Sequence, residues 1–212
     1  LRCSHPALKG LKGIRTQAEL TLMIDDQAVL RETGELLLTD YGVSGVCVFQ
    51  LSREAAPALA QGRSVRLAVN FLPEIPSLLP WLDARIRQLA PASLLALTTG
   101  VLPRLLAQTV IREARLSPDM PAEALSESEK QALCGALSAF PLVVTGTQGF
   151  ANAQVTRGGV SLADVDPSTM ASRLFDGLHI IGELLDVDGP CGGYNLHFAF
   201  AGALAAAKAI AG

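Results

Sequence analysis

The sequence predicts a mixed α and β chain: a sheet interrupted by a helical lobe, then a strand–loop–helix segment. Three observations predict it. Apolar and polar residues alternate with period two over residues 19–24 and 64–71, and a further strand is read at 142–145. Between the last two, residues 76–139 switch to helical spacing. At the end, a short apolar run at 178–181 leads through a Gly-rich loop into an Ala-rich helix. The 212 residues are 50% hydrophobic, with a mean hydropathy of +0.35. That is enough apolar surface for one large domain or two small ones.

The elements follow in order. Residues 1–15 hold Pro6, Gly10 and Gly13 and are expected to be a connecting loop. A strand over 19–24 opens a sheet domain assigned to 16–75 and 140–163. Residues 29–41 predict a hairpin turning near Gly34, with 36–39 as its second arm. Apolar spacing over 44–59 predicts a helix, and 64–71 a strand. In the lobe, 76–139, Trp81, Ile86, Leu89, Leu94, Leu95 and Leu97 recur as on helices, and so do Leu102, Leu105, Leu106 and Val110. Ser126 and Glu129 have the Ser-x-x-Glu spacing of a capping box. After Pro141, strands are expected at 142–145, 153–156 and 160–162, with Gly158-Gly159 as a hairpin turn. The strand–loop–helix segment occupies 164–212. A single βα unit cannot bury its two faces, so it calls for partners elsewhere.

Composition excludes several function classes. The formal charge is -3, with both signs scattered and no basic run. This argues against nucleic acid and an anionic membrane, and for a small molecule or a protein partner. Cys3, Cys47, Cys134 and Cys191 lie at no metal-ligand spacing and read as reduced thiols of a cytoplasmic protein. The apolar tail, residues 196–212, is too short and too Ala-rich for a membrane span. The chain opens at Leu1 with neither Met nor a signal-peptide pattern, and reads as a piece of a longer polypeptide.

The residues that carry chemistry are concentrated after the 178–181 run. In an open α/β sheet, ligands sit beyond the carboxyl ends of the strands, where Gly182-Glu183 falls. Gly allows close backbone approach, and the carboxylate can accept from sugar-like hydroxyls. Gly192-Gly193 then opens a helix whose free N–H groups favour negative charge. Each feature alone is ordinary structure: Gly-Glu often follows a strand, and Gly-Gly often precedes a helix. Asp186-Val187-Asp188-Gly189 begins like a calcium loop, but Pro190 and His197 stand where further ligands are required. His197 and His179 read as structural rather than proton-moving. Tyr194 has two readings, a donor to a ligand and a packing residue, while Trp81 reads as lobe core.

The combination resembles the BaiN-type flavoproteins, an aminoacetone-oxidase-like family of NAD(P)/FAD-dependent oxidoreductases. The matching runs are Ala153-Gln154-Val155-Thr156-Arg157-Gly158-Gly159-Val160, Asp166-Pro167-Ser168-Thr169-Met170, and Gly177-Leu178. Gly182-Glu183-Leu184-Leu185-Asp186-Val187-Asp188-Gly189 and Gly192-Gly193-Tyr194-Asn195-Leu196 complete the C-terminal match. Upstream, Glu35-Leu36-Leu37-Leu38-Thr39-Asp40-Tyr41-Gly42-Val43-Ser44-Gly45 also fits, and residues 8–13 fit more loosely. The chain departs from the pattern at Cys191 for Thr, His197 for Gln, Ala171 for an acidic residue and Val46 for Pro. It also lacks a G-x-G-x-x-G unit.

The resemblance implies a β-barrel-like domain interrupted by the helical lobe, then the C-terminal segment of a Rossmann-like FAD-binding domain. It implies FAD as cofactor, NAD(P)H as a possible co-substrate, and hydride transfer to or from a small organic substrate. The implied cofactor-binding residues are Gly158, Gly159, Gly182, Glu183, Asp188, Gly192, Gly193, Tyr194 and Asn195, with no catalytic residue assigned. The ADP half of FAD would be held by an N-terminal part of the same polypeptide, so this chain alone is expected to bind FAD weakly and to be inactive. The competing reading is a non-catalytic assembly module.

Overall fold

The computed structural model describes all of residues 1–212. They form two compact units, Leu1–Thr147 and Gln148–Gly212.

The first unit is a barrel carrying a helical lobe. Its strands are β1 (Arg2–Ser4), β2 (Arg15–Ile24), β3 (Gln27–Leu38), β4 (Val43–Ser44), β5 (Val65–Asn70) and β6 (Phe140–Gly146). They pair antiparallel in the order β1-β6-β5-β2-β3-β4. The two edges then meet. Arg2 bridges Gly42, the Cys3 N–H donates to Tyr41 O at 2.9 Å, and the Val43 N–H donates to Leu1 O at 3.1 Å. The sheet therefore closes on itself, which removes unpaired edges. Inward residues alternate along each strand: Ala18, Leu20, Leu22 and Ile24 on β2, Val65, Leu67 and Val69 on β5, Phe140, Leu142 and Val144 on β6. Helix α1 (Val46–Ala60) touches β2 through β6 and buries Cys47, Val48, Leu51, Ala55 and Ala58 against them.

The lobe leaves after β5 and returns at β6. It comprises α2 (Leu78–Leu89), α3 (Leu94–Leu97), α4 (Arg104–Glu113) and α5 (Glu127–Ser138). Leu82, Leu97, Leu106, Val110, Ile111 and Leu133 form its interior, continuous with that of the barrel. Trp81 is half-buried at its margin, with the Arg85 guanidinium 5.5 Å from the ring centroid. β5 and β6 are neighbours, with Val69 opposite Phe140, so the lobe is an excursion from one sheet, as the change of period predicts.

The capping box is present: the Glu129 N–H donates to Ser126 Oγ at 3.3 Å, and the Ser126 N–H donates to Glu129 Oε2 at 2.8 Å. The Ser126 hydroxyl also donates to Glu129 Oε2 at 2.7 Å, and this bond first, then that from the Ser126 N–H, holds the Glu129 carboxyl below its ordinary range. A depressed carboxyl stabilises above its unfolded pKa, so this contribution is full at neutral pH and is lost on acidification. Ser126→Ala is expected to cost about 0.5–2 kcal/mol at neutral pH. Thermal unfolding should show a loss that shrinks in acid.

The structure corrects several expectations. Residues 1–15 are not only a connector, because β1 lies within them. A three-residue strand has too few alternations to register, and its closing bonds are made by backbone. The β2–β3 hairpin turns at Asp25-Asp26, where φ is 48° and 66°, not near Gly34, which sits mid-strand opposite Ala18. Two consecutive positive φ values suit a tight hairpin turn, and Asp tolerates that region. Gly34 serves packing, since a Cβ there would lie 3.5 Å from the Cys47 Cβ on α1. The barrel ends at Gly146, so residues 148–163 belong to the second unit and not to the sheet. The expected strands at 153–156 and 160–162 are absent, and Gly158-Gly159 is no hairpin turn. The run 178–181 makes a single antiparallel bridge, Ala171 to His179, and no ladder.

The second unit ends in α6 (Tyr194–Ala211). A 3-10 turn, Gly182–Leu184, packs on this helix. Val165, Ile180 and Leu185 form its small core.

Candidate functional site

All nine sequence-predicted site residues lie in the second unit, where the structure gathers them into two groups. The first is built on two backbone segments held side by side. The Val160 N–H donates to Leu184 O at 2.8 Å, and the Asp186 N–H donates back to Val160 O at 2.9 Å. The Gly158 N–H donates to Asp186 Oδ1 at 3.1 Å. Gly159 lies so close to the facing segment that a Cβ would sit 2.5 Å from Leu184 O and 2.8 Å from the Leu185 carbonyl carbon. Only Gly fits. Leu185 is buried between these segments and Ile180, which anchors the strip to the small core.

Gly182 opens the 3-10 turn with φ 64°. A Cβ on it would lie 3.4 Å from the Ala199 Cβ of α6, so this Gly serves the approach of turn to helix. Glu183 follows and is exposed. Its carboxylate has no hydrogen bond or ion pair within the chain. An exposed, unpartnered acceptor next to a packing Gly is available to an incoming hydroxyl.

The second group is the start of α6. Asp188 leads into the loop, where the Gly189 N–H donates to Asn195 Oδ1 at 2.7 Å and Asn195 Nδ2 donates to Gly189 O at 3.2 Å. The Asn195 amide thus clamps the loop through Pro190 to Gly193 into a ring. Its side chain positions the loop and is not free for a ligand. Gly193 (φ 91°) precedes the helix, and no side chain caps it. A Cβ on Gly193 would meet nothing within 4 Å, so the floor there is open. The first N–H groups of an 18-residue helix are left without a side-chain acceptor, which favours a negative or strongly polar ligand atom. Tyr194 is 63% exposed and remains a candidate donor.

The supporting loop is self-contained. Asp166 Oδ1 accepts from the Ser168 N–H at 2.8 Å and from Ser168 Oγ at 2.6 Å. Those bonds, the hydroxyl's first, depress the Asp166 carboxyl. His179 Nδ1 lies 2.8 Å from Thr169 O, in keeping with a structural role. His197 is exposed, which corrects its reading as a core histidine. It lies one turn into α6, before the stretch that packs on the rest of the unit.

Sequence reasoning missed Asp186, Gly189 and Gly202. Asp186 caps the Gly158 N–H, a task that neither the calcium-loop spacing nor the family resemblance assigns to it. Gly189 faces Asn195. A Cβ on Gly202 would lie 3.6 Å from Met170 Sδ and 3.8 Å from the Ile181 Cβ, so α6 seats there.

A family model described as "HI0933-like protein barrel and H2TH domain" matches residues 1–155. The chain belongs to this family. The barrel and helical parts of that description correspond to the first unit, and the resemblance to BaiN-type flavoproteins is borne out. The chain is 36% identical over 209 residues to the 3-dehydro-bile acid delta(4,6)-reductase of Clostridium scindens, covering 98% of this chain and 51% of the relative. It is 33% identical over 202 residues to the ribosomal RNA dihydrouridine synthase of Escherichia coli, covering 95% and 47%. It is 30% identical over 177 residues to the protein of that name from Haemophilus influenzae, covering 83% and 42%. The chain spans about half the length of the curated relatives it matches.

Proposed function

We propose that this chain is the barrel, lobe and flavin-side segment of an FAD-dependent oxidoreductase that moves a hydride between FAD and a small organic substrate, with NAD(P)H as the other partner. The observation that carries the reading is the uncapped start of α6, with its open Gly193 floor, in the same unit as the unpartnered Glu183 carboxylate. The residues fit the flavin half of FAD. They offer free helix N–H groups, a glycine surface without side-chain obstruction and an acceptor for hydroxyls. FAD, when bound, supplies a two-electron carrier.

The chain's own residues then have distinct tasks. Glu183 accepts from ribityl hydroxyls. Gly192, Gly193 and the Tyr194 N–H hold the polar edge of the ring by close backbone approach. Asn195 and Asp188 belong to the loop that keeps this helix start in place. Gly158, Gly159 and Gly182 set the strip that carries Glu183. The ADP half calls for a phosphate-binding turn contributed by another part of the polypeptide, so this chain alone should hold FAD weakly.

A small substrate is favoured over RNA. Residues 148–212 carry twice as many carboxylates as cations, and residues 1–147 carry equal numbers of each. Barrel cations are largely matched: Lys12 to Asp40, Arg15 to Glu35, Arg31 to Glu19, Arg63 to Asp25, Arg66 to Asp26. An RNA ligand needs several unmatched cations to neutralise its phosphates. Among the chemistries of the relatives, an enone-type small molecule suits this surface better. No helix is long and apolar enough to cross a membrane. All four cysteines are free thiols, which supports a place in the cytoplasm.

The test is FAD titration of the full-length protein carrying Glu183→Gln or Glu183→Ala. Loss of the acceptor should leave buried hydroxyls unpaired, at about 1–3 kcal/mol, or roughly a tenfold to hundredfold loss of affinity. Turnover at saturating FAD should change far less. Unchanged affinity with collapsed turnover would make Glu183 catalytic and overturn its assigned role. A full-length protein without flavin would leave the assembly-module reading.

A further inference from the structure

Helix α4 carries cations where its own folding rules ask for something else. Arg104 stands in the first turn, where free N–H groups favour carboxylates and disfavour cations. Pro103 precedes it, and no side chain caps the helix there. At the other end the Arg115 N–H donates to Arg112 O at 2.9 Å, and the Leu116 N–H donates to Ile111 O at 3.1 Å. In this closing motif the residue after the cap is left-handed and is usually Gly. Here it is Arg115, with φ 61°, a conformation that L side chains adopt at a cost. Neither arginine helps the helix form. A residue kept against a local rule answers to a task outside folding.

The same residues form a row. At about 100° per residue, Arg104, Gln108 and Arg112 lie within about 80° of one another around α4, and Arg115 extends the line to about 16 Å. All three arginines are exposed, and no ion pair or hydrogen bond within the chain engages their side chains. The one carboxylate of the helix, Glu113, is engaged elsewhere, 3.6 Å from His5 Nε2. Leu105, beside Arg104, is 53% exposed. The barrel cations, by contrast, are largely matched by carboxylates.

We propose that the Arg104–Arg112–Arg115 face of α4 docks an acidic segment of a partner protein. Unmatched positive charge calls for an anionic partner, and the surroundings favour a protein. Residues 1–147 carry as many carboxylates as cations, so no long-range positive field gathers a polyanion. The row holds no aromatic ring on which a base could stack. Three cations also fall short of the roughly four to eight that hold an anionic membrane. Arginines beside an exposed apolar side chain are the mixture found in protein interfaces. The row lies in the first unit, so the proposal stands whatever the second unit binds.

The full-length protein is titrated with a fluorescent helical peptide of repeating Glu-Ala-Leu-Ala sequence. The wild type should bind it, more weakly as salt rises, and should not bind the same peptide with Gln in place of Glu. Arg104→Glu puts a carboxylate where the helix favours one, and Arg115→Gly puts Gly at its usual place. Each is therefore expected to raise the thermal midpoint and yet to weaken peptide binding, the two together by at least about tenfold. A gain in stability with a loss of affinity cannot come from misfolding. Peptide binding that is absent in the wild type, or unchanged in the double variant, overturns the proposal. So does binding of polyuridine RNA, and not of the peptide, that the two substitutions abolish, which would make nucleic acid the occupant. Self-association of the wild type that the substitutions abolish also overturns it, by making a second copy the occupant.

Discussion

Phe140→Ala is expected to lower the stability of the first unit by about 3–5 kcal/mol, the cost of emptying a buried aromatic site. Phe140 is 2% exposed and begins β6 where the lobe returns to the barrel. Its ring lies 5.6 Å from that of Phe71, centroid to centroid, and 4.9 Å from that of His5. Phe71 marks the exit of the lobe, its N–H donating to Leu137 O at 2.9 Å. His5 Nδ1 accepts from the Ala7 N–H at 3.2 Å, and its Nε2 lies 3.6 Å from the Glu113 carboxylate at the end of α4. One ring thus joins both crossings of the lobe and the N-terminal segment. The loss is a large share of the 5–15 kcal/mol that typically holds a domain together. Phe140→Leu, which keeps most of the volume, should cost well under half as much. Denaturant unfolding measures both. A loss below about 1 kcal/mol for the Ala variant would show that the crossing is held by other contacts.

The parts of this fold legible in the sequence are those whose signal is local. The alternation of β2 and β5, the spacing along α4 and the Ser126–Glu129 box need only neighbouring residues. The parts missed depend on distant backbone. β1 closes the barrel through main-chain bonds to residues 41–43, which leave no side-chain pattern. Gly34 looked like a turn because a lone Gly usually signals one, but its missing Cβ answers to α1. The candidate site shows the same division. Its residue runs stood out, and the comparisons bear out the family they suggested. Their separate tasks did not show: the Asn195 amide is spent on Gly189, and Gly182 is seated against Ala199. Such tasks follow from which atoms meet in space, and one sequence does not contain that.

Gly159→Ala should impair flavin binding more than loss of the Glu183 carboxylate does. A methyl group on Gly159 would lie 2.5 Å from Leu184 O and 3.0 Å from the Asp186 nitrogen. Both belong to backbone, which cannot rotate aside as a side chain does. The two strips must separate, weakening the Val160–Leu184 and Asp186–Val160 bonds together. Each is worth about 0.5–1.5 kcal/mol net, and more if a buried group is left unsatisfied. The displaced segment contains Leu184 and adjoins Glu183, so the acceptor moves with it. The expected outcome is a loss of FAD affinity of about a hundredfold to a thousandfold in the full-length protein. Gly158→Ala is the matched control. That position has φ 98° and nothing within 4 Å of an added Cβ, so it meets only backbone strain of about 1–2 kcal/mol. FAD titration of both variants, with far-UV dichroism to confirm folding, separates crowding from strain. If Gly159→Ala binds FAD as wild type does while Gly158→Ala does not, the 158–160 strip contacts the cofactor through Gly158 and does not act by carrying Glu183.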